Sequence, residues 1–382
     1  MNRTGLAIML LTIWQHTPYS EAGTPLAATG NSWPMARGDA ALTGASPARV
    51  PRQPVLRWTF DAGAKIQAAP IINDGIVYAA ATDGSVHALQ LSDGSNVWTR
   101  RMEARIEAPP LYADGALYIG DSDGRLHALD ADTGRPRWTY NTDGAIMGGA
   151  NWAPGDPALI LVGSYDYRLH AVHAADGQSA WVYETDNYIH GTPALLDDLA
   201  LVGGCDEHVH AVNLRDGTPR ARIAAGSYVA ASPALRDRQA YVGHYEGEVL
   251  AIDLSHNEIV WRFRPDSDTT DSPAFLASPA VTTTRVLASD NEGGLYCLAR
   301  VSGKEIWRFR AHRDIEGGPV VAGDRVLCGA RDGRIYMLNF SDGELLWSYL
   351  IGSPISASAA VVDGWIVIGA TDGTLYAFGD KE

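Results

Sequence analysis

Residues 75–98 read GIVYAAATDGSVHALQLSDGSNVW, and this stretch decides the fold. Its short apolar runs are separated by Asp83-Gly84 and by Ser92-Asp93-Gly94, which suit tight hairpins because glycine adopts positive φ at little cost. With IQAAPII (66–72) in front, the strand-like pieces are IQAAPII, GIVYAAA (75–81), SVHALQL (85–91) and NVWTR (96–100). The pattern predicts a four-stranded antiparallel unit of about 40 residues.

The same unit recurs along the chain. A ring-bearing or apolar residue fills one position of each third strand: His87, His127, His170, His210, Leu250, Tyr296, Tyr336 and Tyr376. Eleven residues after the first seven of these come Trp98, Trp138, Trp181, Ala221, Trp261, Trp307 and Trp347. Repeats of this length with four strands each are typical of propeller blades. We therefore predict an all-β fold, an eight-bladed β-propeller with four-stranded antiparallel blades.

The last unit predicts how the ring closes. Residues 355–379 supply only three strands and lack the tryptophan strand, whereas VLRWTFDAG (55–63) carries Trp58 ahead of the first unit. We expect this N-terminal strand to complete the last blade, which hides both open sheet edges. The predicted organisation is a signal peptide over 1–22, an N-terminal extension over 23–54 and the propeller over 55–379.

The repeat resembles the pyrroloquinoline-quinone (PQQ) type of propeller repeat, most clearly in DADTGRPRW (130–138) and SDGELLW (341–347). Upstream, SWPMARGDAALTG (32–44) is similar to the segment before the repeats in secreted bacterial members. The resemblance implies relatives of two kinds: quinoprotein dehydrogenases and the propeller lipoprotein of the outer-membrane β-barrel assembly (Bam) machinery.

Two functions follow from this resemblance. The first is a non-catalytic extracytoplasmic scaffold that binds a protein, peptide or glycan, in envelope or outer-membrane protein assembly, without a cofactor. The alternative is a PQQ-dependent dehydrogenase or PQQ-binding protein that uses PQQ with Ca²⁺. Dehydrogenases of this kind are longer and usually carry an adjacent cysteine pair, whereas Cys205, Cys297 and Cys328 are isolated here. No nucleophile–base constellation and no phosphate loop is evident, so the sequence favours the scaffold.

The net charge and the N-terminal residues limit the possible partners and the cellular location. The net charge of −15 argues against a nucleic-acid partner. Residues 1–22 combine Arg3, a short apolar run and small residues at cleavage spacing, as signal peptides do, and no cysteine follows for a lipid anchor. The apolar run is too short to span a bilayer. We expect a periplasmic or secreted monomer without a membrane span.

The repeated residues have structural interpretations. The tryptophans should fill the space between neighbouring blades, with ligand stacking as the rival interpretation. A metal site at the four histidines is rejected, because tyrosine takes the same position in blades six to eight and the ring symmetry separates the four. The Asp-Gly aspartates, such as Asp83 and Asp372, belong to turns.

Function is expected where the repeat pattern breaks. The second turns of blades three to five read GSYDYR (163–168), GGCDEH (203–208) and GHYEGE (243–248), and two aromatic loops precede blades four and five, DNYIHGTP (186–193) and GSYVAASP (226–233). Propeller topology places these turns and loops on one rim.

We predict a binding surface on this rim, since tyrosine offers contact area and a hydroxyl at small entropic cost, with loop packing as the alternative. The predicted binding residues are Tyr165, Tyr167, Asn187, Tyr188, His190, Cys205, Asp206, His208, Tyr228, His244 and Tyr245; no catalytic residue and no metal ligand is assigned.

Overall fold

Residues 25–266 and 273–381 are described by a computed structural model, and their regular structure consists of strands. The predicted signal peptide lies outside the described residues. Eight antiparallel sheets form the blades, with four consecutive strands in each of the first seven. The innermost strands are Ile71–Asn73, Leu111–Ala113, Asn151–Ala153, Ala194–Leu196, Ala234–Arg236, Ala280–Val281, Val320–Ala322 and Ala360–Val362. The second strands are Ile76–Ala80, Ala116–Gly120, Leu159–Gly163, Leu199–Gly203, Gln239–Gly243, Arg285–Ser289, Arg325–Gly329 and Trp365–Gly369.

The outer half of each blade follows the same order. The third strands are Ser85–Gln90, Arg125–Asp130, Arg168–His173, His208–Asn213, Val249–Asp253, Gly294–Ala299, Arg334–Asn339 and Thr374–Gly379. The outermost strands are Asn96–Arg101, Pro136–Asn141, Ser179–Glu184, Pro219–Ala224, Glu258–Phe263, Glu305–Arg310 and Leu345–Leu350, with Val55–Asp61 in blade eight. The predicted eight-bladed β-propeller is confirmed.

The predicted ring closure is also confirmed. Strand Val55–Asp61 pairs antiparallel with Thr374–Gly379 and becomes the outermost strand of blade eight, with Trp58 opposite Ala377. The first predicted piece of the first unit, 66–72, began too early, because the strand there is Ile71–Asn73. The residues before each innermost strand form a loop, and we call this loop the leading loop of that blade.

The repeated tryptophans join neighbouring blades, as predicted. The Trp98 indole nitrogen donates to the Ala131 carbonyl oxygen of blade two at 2.9 Å, and the ring covers Gly134, where a Cβ atom would lie 2.7 Å from ring carbon. Gly134 also has φ 67°, so both space and backbone require glycine. The same tryptophan–glycine pair recurs between other blades: Trp58–Gly94, Trp138–Gly177, Trp181–Gly217, Trp261–Gly303 and Trp307–Gly343.

One junction lacks both halves of this pair. Blade four has Ala221 in place of the tryptophan, and the facing turn of blade five has Asn257, with φ 59°, in place of the glycine. The two substitutions match physically, because a glycine is needed only where an indole ring covers the turn.

Residues 30–46 close one end of the central channel. This segment, which we call the plug, forms hydrogen bonds or strand pairing with each blade in turn. Its backbone carbonyl oxygens accept from backbone amides of the inner strands or the turn after them, at Asp363, Tyr112, Leu195, Leu235, Val281 and Val321. Short strands Ser32–Trp33 and Ala45–Ser46 extend the sheets of blades one and seven, and the side chain of Asn151 donates to Ala40 for blade three. Trp33 and Leu42 of the plug are fully buried. The plug thus pairs amides that would otherwise line an open channel.

Candidate functional site

The unplugged end of the channel is formed by the leading loops together with the turns between the second and third strands. Backbone bonds join each such turn to the leading loop of its own blade. In blades three, four and five the amides of Tyr165, Cys205 and Tyr245 donate to the carbonyl oxygens of Ala145, Tyr188 and Tyr228 at 2.9, 3.0 and 3.2 Å. The irregular turns and the aromatic loops singled out in the sequence therefore lie on the same rim.

Five tyrosines cluster on this rim over blades three to five, and we call them the tyrosine arc: Tyr165, Tyr167, Tyr188, Tyr228 and Tyr245. The ring centroid of Tyr188 lies 4.6 Å from that of Tyr165 and 5.1 Å from that of Tyr167, and Tyr228 lies 6.2 Å from Tyr245. Four of the five are 41–48% exposed. No other tyrosine, tryptophan or phenylalanine of residues 25–266 and 273–381 is as exposed.

Tyr165 is the half-buried member of the arc and connects it to the channel. Its hydroxyl lies 2.6 Å from Nδ1 of His190, which lines the channel mouth. Burial raises the pKa of Tyr165, and the charges of Cys205 and Glu107 add to this effect. Burial lowers the pKa of His190, so a neutral phenol faces a neutral imidazole at neutral pH.

The channel between the arc and the plug is a cavity of about 200 Å³. Small residues of all eight leading loops form its wall, among them Ala69, Gly149, Ser232 and Ser358. The two carboxylates at its mouth are both held in ion pairs of 2.6 Å, Glu107 with Arg105 and Glu316 with Arg331. The charged mouth is therefore largely neutralised.

Arg37 of the plug lies at the base of this cavity. The side chain is buried, and its guanidinium donates to the carbonyl oxygens of Pro279 and Pro319 at 3.0 and 2.7 Å and to Ser358 Oγ at 3.3 Å. Burial lowers the pKa of Arg37 to about 10, against the opposing charge of Asp39. This one side chain ties the plug to blades six, seven and eight.

Not every predicted binding residue is available on the surface. His244 is buried, where its Nε2 lies 3.3 Å from Glu248 Oε2, and the Asp206 carboxylate accepts from the His210 ring at 3.0 Å. Burial would raise the pKa of Asp206, but the His210 ring and two backbone amides hold it below its usual value. Asp206 and His244 therefore support the turns rather than face outward.

Three further predicted residues are partly exposed beside the arc. The Asn187 side-chain amide donates to the Cys205 carbonyl oxygen at 3.1 Å, and His208 Nδ1 lies 2.6 Å from the Asp206 carbonyl oxygen. Burial raises the pKa of the Cys205 thiol, which disfavours a reactive thiolate. Asn187 and His208 brace the turn of blade four, and Cys205 lies next to Tyr165.

The ring at the repeated third-strand position hydrogen-bonds within its own blade. His127 Nε2 lies 2.8 Å from Asp121, and His170 Nε2 lies 2.9 Å from Asp166. In blade eight the Tyr376 hydroxyl takes the same role and donates to Asp372 at 2.8 Å. Histidine and tyrosine are interchangeable here because each presents an apolar ring with a polar tip to a turn carboxylate.

The geometry defines an eight-bladed propeller with PQQ-type repeats, plugged at one end of its channel. A family model described as "Outer membrane protein assembly factor BamB" matches residues 51–151, 146–262 and 246–381, so the chain belongs to this family of propellers.

Solved structures share the fold at low sequence identity. BamB from Moraxella catarrhalis is 20% identical, with a TM-score of 0.72 over 86% of this chain and 100% of that chain. Quinohemoprotein alcohol dehydrogenase from Comamonas testosteroni is 16% identical, with a TM-score of 0.79 over 93% and 82%. The computationally designed Ika8 protein is also 16% identical, with a TM-score of 0.73 over 84% and 98%. No curated protein sequence matches the chain.

The described residues contain no helix of sufficient length and apolarity to cross a membrane. In the same part of the chain, no three His, Cys, Asp or Glu side chains come close enough together to bind a metal ion.

Proposed function

We propose that this chain is a non-catalytic, extracytoplasmic scaffold that binds a protein partner through the tyrosine arc, in outer-membrane protein assembly. The single observation that carries the proposal is that the four most exposed side chains among the tyrosines, tryptophans and phenylalanines of the described residues all lie on one rim. Exposed aromatic clusters of this kind are typical anchor points of protein interfaces, where tyrosine is enriched. The family description adds the link to outer-membrane assembly.

The proposal includes the predicted organisation and location. Residues 1–22 act as an export signal, residues 23–54 form the extension that contains the plug, and the propeller acts outside the cytoplasm as a monomer. The position of the plug supports this organisation, because the plug closes the channel end opposite the arc and leaves the arc free for a partner.

A PQQ-dependent dehydrogenase is the second candidate, and the likeness to the quinohemoprotein fold favours it. The residues at the channel mouth do not fit the quinone and its Ca²⁺. The two carboxylates, Glu107 and Glu316, come from different blades and are engaged by arginines, and the cavity of about 200 Å³ is smaller than the 300–1,000 Å³ typical of cofactor pockets. We derive no reaction step through PQQ. Adding PQQ and Ca²⁺ to the purified protein should produce no bound quinone absorbance.

Replacing exposed tyrosines tests the scaffold. Tyr188→Ser with Tyr228→Ser should weaken binding to the purified β-barrel assembly machinery about 30-fold or more, because the loss of even one aromatic anchor often costs about 2 kcal/mol. Melting should stay nearly unchanged, since both rings face solvent. Biolayer interferometry measures the binding.

The matched control is Val182→Ser with Val260→Ser, which are 44% and 43% exposed on the outermost strands of blades three and five. It should leave binding unchanged. Equal affinities for the tyrosine pair and the valine pair would refute the arc as the binding surface.

A further inference from the structure

One position of the second turn has positive φ in every blade. Six blades use glycine there: Gly84, Gly124, Gly247, Gly293, Gly333 and Gly373. Blades three and four use Tyr167, with φ 73°, and Glu207, with φ 69°. A bulky or charged side chain is disfavoured in this left-handed conformation, because its Cβ atom approaches the backbone.

Neither side chain gains enough packing to explain its presence. Tyr167 is 41% exposed, and its ring contact is with Tyr188, edge to face at 5.1 Å between centroids. Glu207 is exposed and has no ion-pair or side-chain hydrogen-bond partner among the described residues. Backbone strain that packing does not offset is common at functional sites.

The uncompensated charge around the arc is negative. The neighbouring arginines are paired: Arg168 lies 3.4 Å from Asp143, Arg222 lies 2.6 Å from Asp186 and Arg262 lies 2.9 Å from Glu248. Glu207 and Glu246 are exposed and without such partners in the described ranges. The net charge of the whole chain, −15, has the same sign.

Exposed tyrosines and free carboxylates on the same rim suit a cationic partner. A lysine or arginine side chain gains a cation–π contact with tyrosine and an ion pair with glutamate at the same time. An anionic or purely apolar partner would leave both glutamates uncompensated.

We propose that the tyrosine arc binds a lysine- or arginine-bearing extended segment of the partner, and that Tyr167 and Glu207, at the equivalent turn position of adjacent blades, contact its cationic side chains. This rests on the proposed function. The two residues occupy glycine positions because recognition, rather than stability, selects them.

The test replaces both residues by the glycine that other blades use. Tyr167→Gly with Glu207→Gly should raise the folded-to-unfolded ratio, by about 5-fold for each relieved position. The same variant should bind a fluorescent Gly-Arg-Gly-Arg-Gly peptide about 10-fold more weakly than the unmodified mature chain, as measured by anisotropy. The isosteric citrulline peptide should bind the unmodified chain no better than it binds the variant.

Asp114→Gly with Asn257→Gly is the matched control. It also relieves two left-handed positions, at φ 48° and 59°, and also removes one exposed carboxylate, but it lies away from the arc. It should gain stability without losing affinity for the arginine peptide.

The outcomes separate this inference from the proposed function. If the arginine peptide binds the glycine variant and the control equally, or if the glycine variant is destabilised, the inference is wrong. If the assembly machinery binds through Tyr188 and Tyr228 yet ignores Tyr167 and Glu207, the scaffold stands and only the cationic segment fails. If neither pair of substitutions affects binding of the machinery, both proposals fail.

Discussion

The two ends of the central channel are built in opposite ways. At the plugged end, one continuous segment satisfies backbone amides of seven blades directly and reaches the third blade through Asn151, and its apolar residues are buried. At the open end, short loops expose four tyrosines, and two turns keep side chains in a conformation that favours glycine. Hydrogen bonds and buried apolar side chains are thus concentrated where the chain threads the ring, whereas the opposite rim leaves side chains exposed for recognition.

Truncation at the plugged end should have the largest effect on the stability of the protein. A chain that begins at residue 65 lacks both the plug and the closing strand Val55–Asp61, so the edge of blade eight is open, and we expect aggregation or early unfolding. A chain that begins at residue 55 keeps the strand and loses only the plug, so it should melt at an intermediate temperature. If the chain that begins at residue 65 melts at the same temperature as a chain that begins at residue 23, the closure by the N-terminal strand is disproved.

A single side chain of the plug should have the next largest effect. Arg37→Gln removes a buried cation and leaves the carbonyl oxygens of Pro279 and Pro319 without their donor, at a cost of about 3 kcal/mol. Arg52→Gln changes an exposed arginine of the same N-terminal segment and should stay within about 0.5 kcal/mol. Guanidinium unfolding compares them, and equal midpoints would mean that Arg37 does not hold the plug.

The smallest effect is expected from pH at the open end. Because burial lowers the pKa of His190 below 6.5, the unfolded chain binds a proton more readily than the folded chain as pH falls through 6.5. Stability should therefore decrease below this pH, by less than about 1.4 kcal/mol per pH unit for one group. His190→Asn should make the decrease shallower; the pKa values of His87 and His244 are also lowered by burial and maintain part of it.

His256→Asn is the control of opposite sign. The Asp253 carboxylate raises the pKa of His256, so its contribution is present below pH 6.5 and is lost as pH rises through the folded value. Urea unfolding between about pH 5 and 8, on both sides of the ordinary histidine pKa, measures both slopes. A steeper decrease at low pH in His190→Asn would contradict the assignment.

The predicted fold depended on local signals that recur. Turn glycines, alternating apolar residues and a tryptophan at a constant offset repeat in nearly every unit, so an error in one unit does not change the architecture. Even the missing tryptophan at Ala221 is informative, because Asn257 replaces the facing glycine. The strand bounds were less predictable, since Ile66 to Pro70 have strand-like composition but form the leading loop.

The predicted site was harder to read from sequence. Tyr188 and Tyr228 are exposed, while His244 and Asp206 are buried in hydrogen bonds, and no local pattern distinguishes these fates. The left-handed φ of Tyr167 and Glu207 was visible in principle, because aligning the blades places them opposite six glycines. The binding role of the arc remains a prediction.

By itself, the sequence determined the number of blades, the order of their strands and the strand that closes the ring. The blade number and the strand order depend on hairpins between residues close in the chain, whose turn and packing preferences are read directly from residue types. The closing strand pairs with the distant Thr374–Gly379, and it was recognisable because the last unit lacks the strand that precedes the first. Only the tertiary structure decided that residues 30–46 plug the channel and that Arg37 anchors them to Pro279 and Pro319, 242 and 282 positions away. Contacts at such separation follow from how the closed ring brings all eight inner strands together, which no segment of the chain specifies alone.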